Sequence, residues 1–539
     1  MKKILALLCC TLLLFGCSPK DDTAFDEMVF APSDPAALLT DANALLTALD
    51  TMGERELTAR LQSFSKELDR LYSQLNLAYV LYCMTPDPEH EQAYTELASF
   101  TDELEYAYCR LVVAADELYN CCDDAVTDAA CAALALRSPQ LLPLLAKERV
   151  LIADYERISS DFTVFANGRS WSMDEITSDE SLSFAEWQTL RELWYSEYNA
   201  KVSELFSELA AVRKAQAKVL GFVSYSEYRY ELYGRDYTVT EAAQFADLVK
   251  SEIVPLYYEL VSGRGAELMY LSFGEFTAET TLETFAAAVT EEFPALRFAA
   301  ESLVSRELYD LSDDPNKLDG CYTTYFGEYD APFIYMKWDK SYASVSALIH
   351  EFGHFSSFCI RGGAYGALDA AETDAQSLPL LLMPAYDALY GRFADSARVD
   401  ALVSALYSMI AGCLQDEFER AAYELSPVNA DALNALYASV CAEYSVPATG
   451  VEWVMIPHTF RSPLYYVSYA VSASAALQLL SLSQTNAAAA KQAYIELLHR
   501  SQTANLSTVF MRLGLENPLS SSAVGKARSG VLLELSKIG

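Results

Sequence analysis

The chain has 539 residues, 52% of them hydrophobic and 21% charged. That composition excludes a disordered polymer, and the length exceeds what one hydrophobic core ordinarily holds, so two or more lobes are expected. Acidic side chains outnumber basic ones 75 to 38, for a net charge of −37; such a surface repels phosphates and argues against nucleic acid as a partner.

The first element is a processing signal. Lys2 and Lys3 precede an apolar run, Ile4 to Phe15, too short for an ordinary spanning helix. It ends in Leu14-Phe15-Gly16-Cys17, which resembles a bacterial lipobox. The resemblance implies cleavage before Cys17 and a diacylglycerol on its thiol, an anchor that holds by burying acyl chains in the membrane. The expected location is the cell envelope, outside the cytoplasm. Nine of the twelve cysteines lie beyond Cys17, none in a CxxC pair. Most are expected as buried small apolar side chains, with room for one disulfide in the N-terminal half.

Residues 18–36 read as a polar linker with Pro32 and Pro35. From there to about Ser160 the pattern is helical. Leu38, Leu39, Leu45, Leu46 and Leu49 recur at helical spacing, as do Leu57, Leu61, Leu68, Leu71 and Leu75, with a break at Pro86-Asp87-Pro88. Phe162 to Met173 is irregular around the turn signal Asn167-Gly168. Ser181 or Ser183 is positioned to cap a long helix from Phe184 to Leu220, ended by Gly221. Further helices are expected over Thr240 to about Ser262 and Thr281 to Glu291. Thr323 to Trp338, with Gly327 and Pro332 among Tyr, Phe and Ile, reads as a hairpin or a pair of short strands. Helices resume at about Tyr342. Ser462 to Ala490 has no charge and could pass for a membrane span, but its Tyr, Ser and Gln residues point to a buried helix lining a polar site.

His350-Glu351-Phe352-Gly353-His354 carries the chemistry. On a helix, residues i and i+4 share a face, so both imidazoles can take one zinc ion with Glu351 beside it. Gly353 is a poor helix former that permits another element to come close. A catalytic zinc site needs a third protein ligand. Glu372, on a second expected helix after Arg361-Gly362-Gly363, is chosen, with Asp369 and Asp374 as rivals. Downstream, His458 follows Pro457 and precedes Tyr465, Tyr466 and Tyr469.

Three segments together resemble the thimet oligopeptidase and oligoendopeptidase F family of zinc metallopeptidases. They are Pro332 to Trp338, the His350 to His354 motif with Ala371-Glu372, and Ile456-Pro457-His458 with its tyrosines and Ser474-Ala475-Ala476. Val219-Leu220-Gly221-Phe222 also fits. Two departures are visible: the interval Phe355 to Ala371 is short, and Ser357 stands where many relatives carry a further His. The resemblance implies a mainly α, two-lobed fold, a small β patch beside the metal helix and a deep substrate channel. It implies one zinc ion held by His350, His354 and Glu372, with Glu351 as general base. It implies oxyanion donors drawn from His458, Tyr465, Tyr466 and Tyr469, and a strand edge at Ile334, Tyr335 and Met336 that binds peptide substrates. The expected division is a signal peptide 1–17, a linker 18–36, an N-terminal helical region 37–165 and a catalytic region 166–539. The competing reading is a lipid-anchored peptide-binding protein without catalysis.

Overall fold

Leucines at helical spacing assemble the first lobe. In the computed structural model, which describes residues 23–363, 366–500 and 504–538, five helices pack together: Pro35–Ala48, Glu54–Met84, Pro88–Ser99, Thr101–Tyr119 and Asp124–Ala135. Their core buries Leu38, Leu45, Leu49, Leu57, Leu61, Leu68, Leu71 and Leu75, with Leu39 and Leu46 half-buried at its margin. Asp87 caps the helix after the proline break, its Oδ1 accepting the N–H groups of Glu89 and His90 at 3.0 and 2.9 Å. Cys17 and the apolar run before it lie outside the described residues.

The second, larger core draws on residues from Met28 to Ile538. The helix Leu142–Asp161, read with the first lobe from the sequence, contributes Leu151 and Tyr155 to this second core. The helix Glu54–Met84 belongs to both lobes: Leu57 to Leu75 and Ala78 face the first core, and Leu77, Val80 and Cys83 the second. At 31 residues it is a strut of about 46 Å. The linker reading stops at Thr23. The Phe25 N–H donates to Arg306 O at 3.0 Å, its ring lies 4.2 Å from Phe333, and the Ala31 N–H donates to Gln74 at 2.7 Å, so this stretch is docked on the body.

Asn167 and Gly168, both at positive φ, turn a hairpin of β1 (Val164–Ala166) and β2 (Arg169–Trp171). Ser183 caps the helix Phe184–Val219 in a reciprocal box with Glu186. The single helix expected over Thr240 to Ser262 is instead Val239–Leu248 and Val254–Leu271 joined by a π turn, Val249–Ile253. Pro255 lacks the N–H that regular α bonding would use there. The uncharged stretch folds as Val467–Thr485, packed among the helices Leu368–Leu381, Ala394–Glu424 and Ser521–Leu535. Its polar groups find protein partners there: Ser474 donates to Pro518 O at 2.6 Å and Gln478 to Glu516 O at 3.2 Å.

β3 (Tyr309–Asp310), β4 (Cys321–Phe326) and β5 (Ala331–Met336) form a sheet in the order β3-β5-β4. This corrects one expectation. Ile334 and Tyr335 pair with β3 on one side, and Ile334, Tyr335 and Met336 pair with β4 on the other, so β5 is central and buried and offers no edge to a substrate. Tyr335 spends its hydroxyl on the carbonyls of Cys83 and Leu318. Alternation along β4 sends Thr323 and Tyr325 toward the helix Tyr342–Arg361 and Tyr322 toward Tyr79 of the strut. The sheet is thus held between strut and metal-motif helix.

The nine cysteines beyond Cys17 form no disulfide among the described residues, and four of them are buried, fewer than the composition suggested. The helices Tyr342–Arg361 and Leu368–Leu381 touch backbone to backbone at Gly353, where a Cβ would stand 2.6 Å from both Ala375 Cα and Asp374 O. No side-chain rotation relieves contacts of that kind. Gly353→Ala is expected to force the helices apart and cost about 1–3 kcal/mol, read as a lower urea midpoint at unchanged m.

Candidate metal centre

The motif helix is well defined at both ends. Ser341 caps it, accepting the Ala343 N–H at 3.2 Å, while Asp339 receives the Ser344 hydroxyl at 2.6 Å. At the other end Gly362, at φ +64, closes on Phe358 O at 2.8 Å, and Gly363, at φ +82, lies flat against the Tyr325 ring, where a Cβ has no room. Between these caps His350 and His354 sit one turn apart, ring centroids 5.2 Å from each other, as their spacing requires. His350 is the more accessible, with 25% of its side chain exposed.

Three carboxylates follow on Leu368–Leu381, all buried, and the fold separates their fates. Glu372 Oε2 points at the imidazoles, 3.9 Å from His350 Nε2 and 4.0 Å from His354 Nε2. Asp369 faces away, its Oδ1 3.8 Å from Arg235 Nε. Burial raises the Asp369 pKa above the ordinary carboxylate value, and Arg235 pulls it back in part. Asp374 is taken by Arg500 at 2.5 Å, Arg361 at 3.1 Å and the Ser357 hydroxyl at 2.8 Å. Ser357 is therefore occupied in tying the two helices together. Of the three candidates for third ligand the geometry selects Glu372.

The ligand atoms of His350, His354 and Glu372 all lie within 4.8 Å of one another. Edges of a tetrahedral site with bonds of 2.0–2.1 Å are roughly 3.3–3.4 Å, so around an ion the Glu372–imidazole separations of 3.9 and 4.0 Å close by about 0.6 Å, and no edge by more than about 1.4 Å. Two neutral imidazoles and a carboxylate suit a borderline cation. Among the described residues this is the one group of three or more such side chains that converges so closely.

Glu351 is buried beside the cluster, and its Oε2 accepts the Thr323 hydroxyl at 2.7 Å; the same hydroxyl also reaches Glu351 O at 3.0 Å. Sequence reasoning missed Thr323. The signal was present, because strand alternation puts Thr323 on the face of β4 that meets the motif helix.

The downstream segment meets the cluster through Tyr465 and Glu372. His458 lies on the turn of helix Pro457–Arg461, and its ring stands 5.1 to 6.1 Å from those of Tyr465, Tyr466 and Tyr469. The tyrosines divide. The Tyr465 hydroxyl donates to Glu372 Oε1, the oxygen turned away from the imidazoles. Burial first, then the charge of Glu372, lifts its phenol well above the usual range, so it stays a protonated donor. Tyr469 is lifted by burial and by Glu372, and its hydroxyl lies 3.5 Å from His458 Nε2. Tyr466 packs edge-on against His458 and Tyr469 and is half-buried.

No protein-family model matches the sequence, and no curated protein matches it either. Solved structures do match the fold. PZ peptidase A with an inhibitor superposes at a TM-score of 0.82 with 20% identity, over 95% of this chain and 99% of that one. A protein assigned as oligoendopeptidase F gives 0.80 and 22%, over 96% and 99%. The oligoendopeptidase F of Enterococcus faecium gives 0.58 and 14%, over 94% and 96%. The chain has the helical fold of these peptidases along nearly its whole length.

A ligand carboxylate oriented by a buried donor binds metal more tightly than a loose one. Tyr465→Phe is expected to weaken metal binding about 10–100-fold, measured by competition with a chelator.

Proposed function

We propose that this chain is a zinc-dependent peptidase that hydrolyses short peptides, carried on the outer face of a bacterial membrane by a lipid at Cys17. The observation that carries the reading is the convergence of His350, His354 and Glu372 with Glu351 alongside, inside a fold shared with oligopeptidases. His350, His354 and Glu372 would hold the ion. When bound, zinc supplies Lewis acidity to the scissile carbonyl and to the attacking water.

Glu351 takes the proton from that water and passes it to the leaving amine. Thr323 keeps its carboxylate turned for the transfer. The oxygen that gains charge on the peptide carbonyl is met by His458 and Tyr469, whose side chains already adjoin; one such preorganised donor is worth about 3–4 kcal/mol of barrier. Tyr466 stands beside them at the rim. Tyr465 is committed to Glu372 and acts on the ligand, not on the substrate. The strand available to an extended peptide is β4, whose Cys321 end is exposed and whose far side pairs with no strand among the described residues.

Exchanging Glu351 for Gln keeps the shape and the zinc ligands but removes the base. Peptide-library turnover, followed by mass spectrometry, is expected to fall about 10²–10⁴-fold in Glu351→Gln with zinc content unchanged. Chelation should abolish the wild-type activity, and zinc should restore it. A variant as fast as wild type would refute the base assignment; zinc-loaded wild type that leaves every peptide intact would favour a binding protein instead. For the anchor, Cys17→Ser is expected to move the protein from the membrane fraction to the soluble fraction of the cell envelope, and unchanged membrane association would remove the lipid from the account.

A further inference from the structure

The chain between His458 and Tyr469 turns on a residue that should resist the turn. Leu464 stands at φ +59, in the left-handed region that is unfavourable for a side chain of its kind. Seven described non-glycine residues have positive φ; six are Asn, Asp, Glu, Lys or Ser, and Leu464 is the one apolar and fully buried member.

Both of its backbone polar groups are taken by ionic side chains from distant parts of the chain. The Leu464 N–H donates to Oε2 of Glu419, on the helix Ala394–Glu424. Its carbonyl accepts Arg235 Nη2 at 2.6 Å. The same Nη2 reaches Ser468 Oγ at 3.0 Å, and Nε of Arg235 faces Asp369, one turn before Glu372. Gln415 donates to the other oxygen of Glu419 at 2.9 Å and to the Thr459 hydroxyl at 2.8 Å. Burial lifts Glu419 to about 7 against the opposing pull of the Leu464 N–H, so hydrogen bond and charge favour each other.

We infer that Arg235 and Glu419 are positioning residues that grip Leu464 in its left-handed turn, and that this turn delivers the Tyr465 hydroxyl to Glu372. The inference rests on the metallopeptidase reading and adds which buried charges orient the third ligand. If Leu464 relaxes to an ordinary φ, the chain after it changes direction and the next side chain leaves Glu372. Arg235 does more than hold a carbonyl. Its planar fork serves the tyrosine loop and the ligand helix together, so both elements are referenced to one guanidinium. A lysine there keeps the charge beside Asp369 but cannot serve both.

The test is a set of zinc dissociation constants, by chelator competition at pH 8, for Glu419→Gln and Arg235→Lys, each with and without Tyr465→Phe. Melting of the metal-free proteins is followed alongside. Each single change should weaken zinc binding about 10-fold, and that effect should shrink to about 2-fold or less once the Tyr465 hydroxyl is gone. Leu464→Gly adopts the turn unaided and should recover most of the affinity lost in Glu419→Gln. Equal losses in both tyrosine backgrounds, no recovery with glycine, or a lower melting point with untouched zinc affinity would each overturn the inference. Wild type with no zinc affinity would sink the metallopeptidase reading itself, before any variant is made.

Discussion

The whole arrangement depends on two helices meeting without side chains between them. Gly353 lets the helix Tyr342–Arg361 come within backbone contact of Leu368–Leu381, and that approach brings a carboxylate from the second helix to imidazoles of the first. A helix radius with ordinary side chains would hold the axes 8–10 Å apart and the ligands with them. A glycine that disfavours the helix locally is thereby the residue that permits the cluster.

Close approach has an electrostatic cost. Asp369, Glu372 and Asp374 are buried within two turns of one helix, and carboxylates taken out of water there need polar partners. The fold answers with three arginines from three parts of the chain: Arg235 for Asp369, and Arg361 with Arg500 for Asp374. Glu372 alone directs an oxygen at the imidazoles. Removing one member of such a buried pair leaves an uncompensated charge worth about 3–5 kcal/mol, so these arginines are fixed by burial rather than by surface attraction.

The first lobe has a mechanical connection to this centre. Its long helix Glu54–Met84 backs the sheet through Tyr79 and Tyr322 and through Asn76, which donates to Tyr325 O at 2.9 Å. The opposite face of the same sheet delivers Thr323 to Glu351 and Tyr325 to Phe358. One three-stranded sheet therefore carries the packing of a five-helix bundle to the orientation of a single carboxylate.

The sequence by itself determined what is local. The leucine periods of the first lobe, the Pro86–Pro88 break, the Asn167-Gly168 turn, the Ser183 cap and the i, i+4 histidines each follow from a few neighbouring residues, and each stands where the pattern put it. Tertiary structure decided what depends on partners far along the chain. Strand order made β5 central, because β3 arrives in parallel from Tyr309 and Asp310 and no spacing rule announces that pairing. The choice of Glu372 over Asp369 and Asp374 came from which arginine reached which carboxylate, and the sorting of Tyr465 from Tyr469 from the left-handed Leu464 between His458 and both. Short-range sterics and hydrogen bonding are written in adjacent residues; the pairing of buried charges is settled only when distant segments compete for the same space.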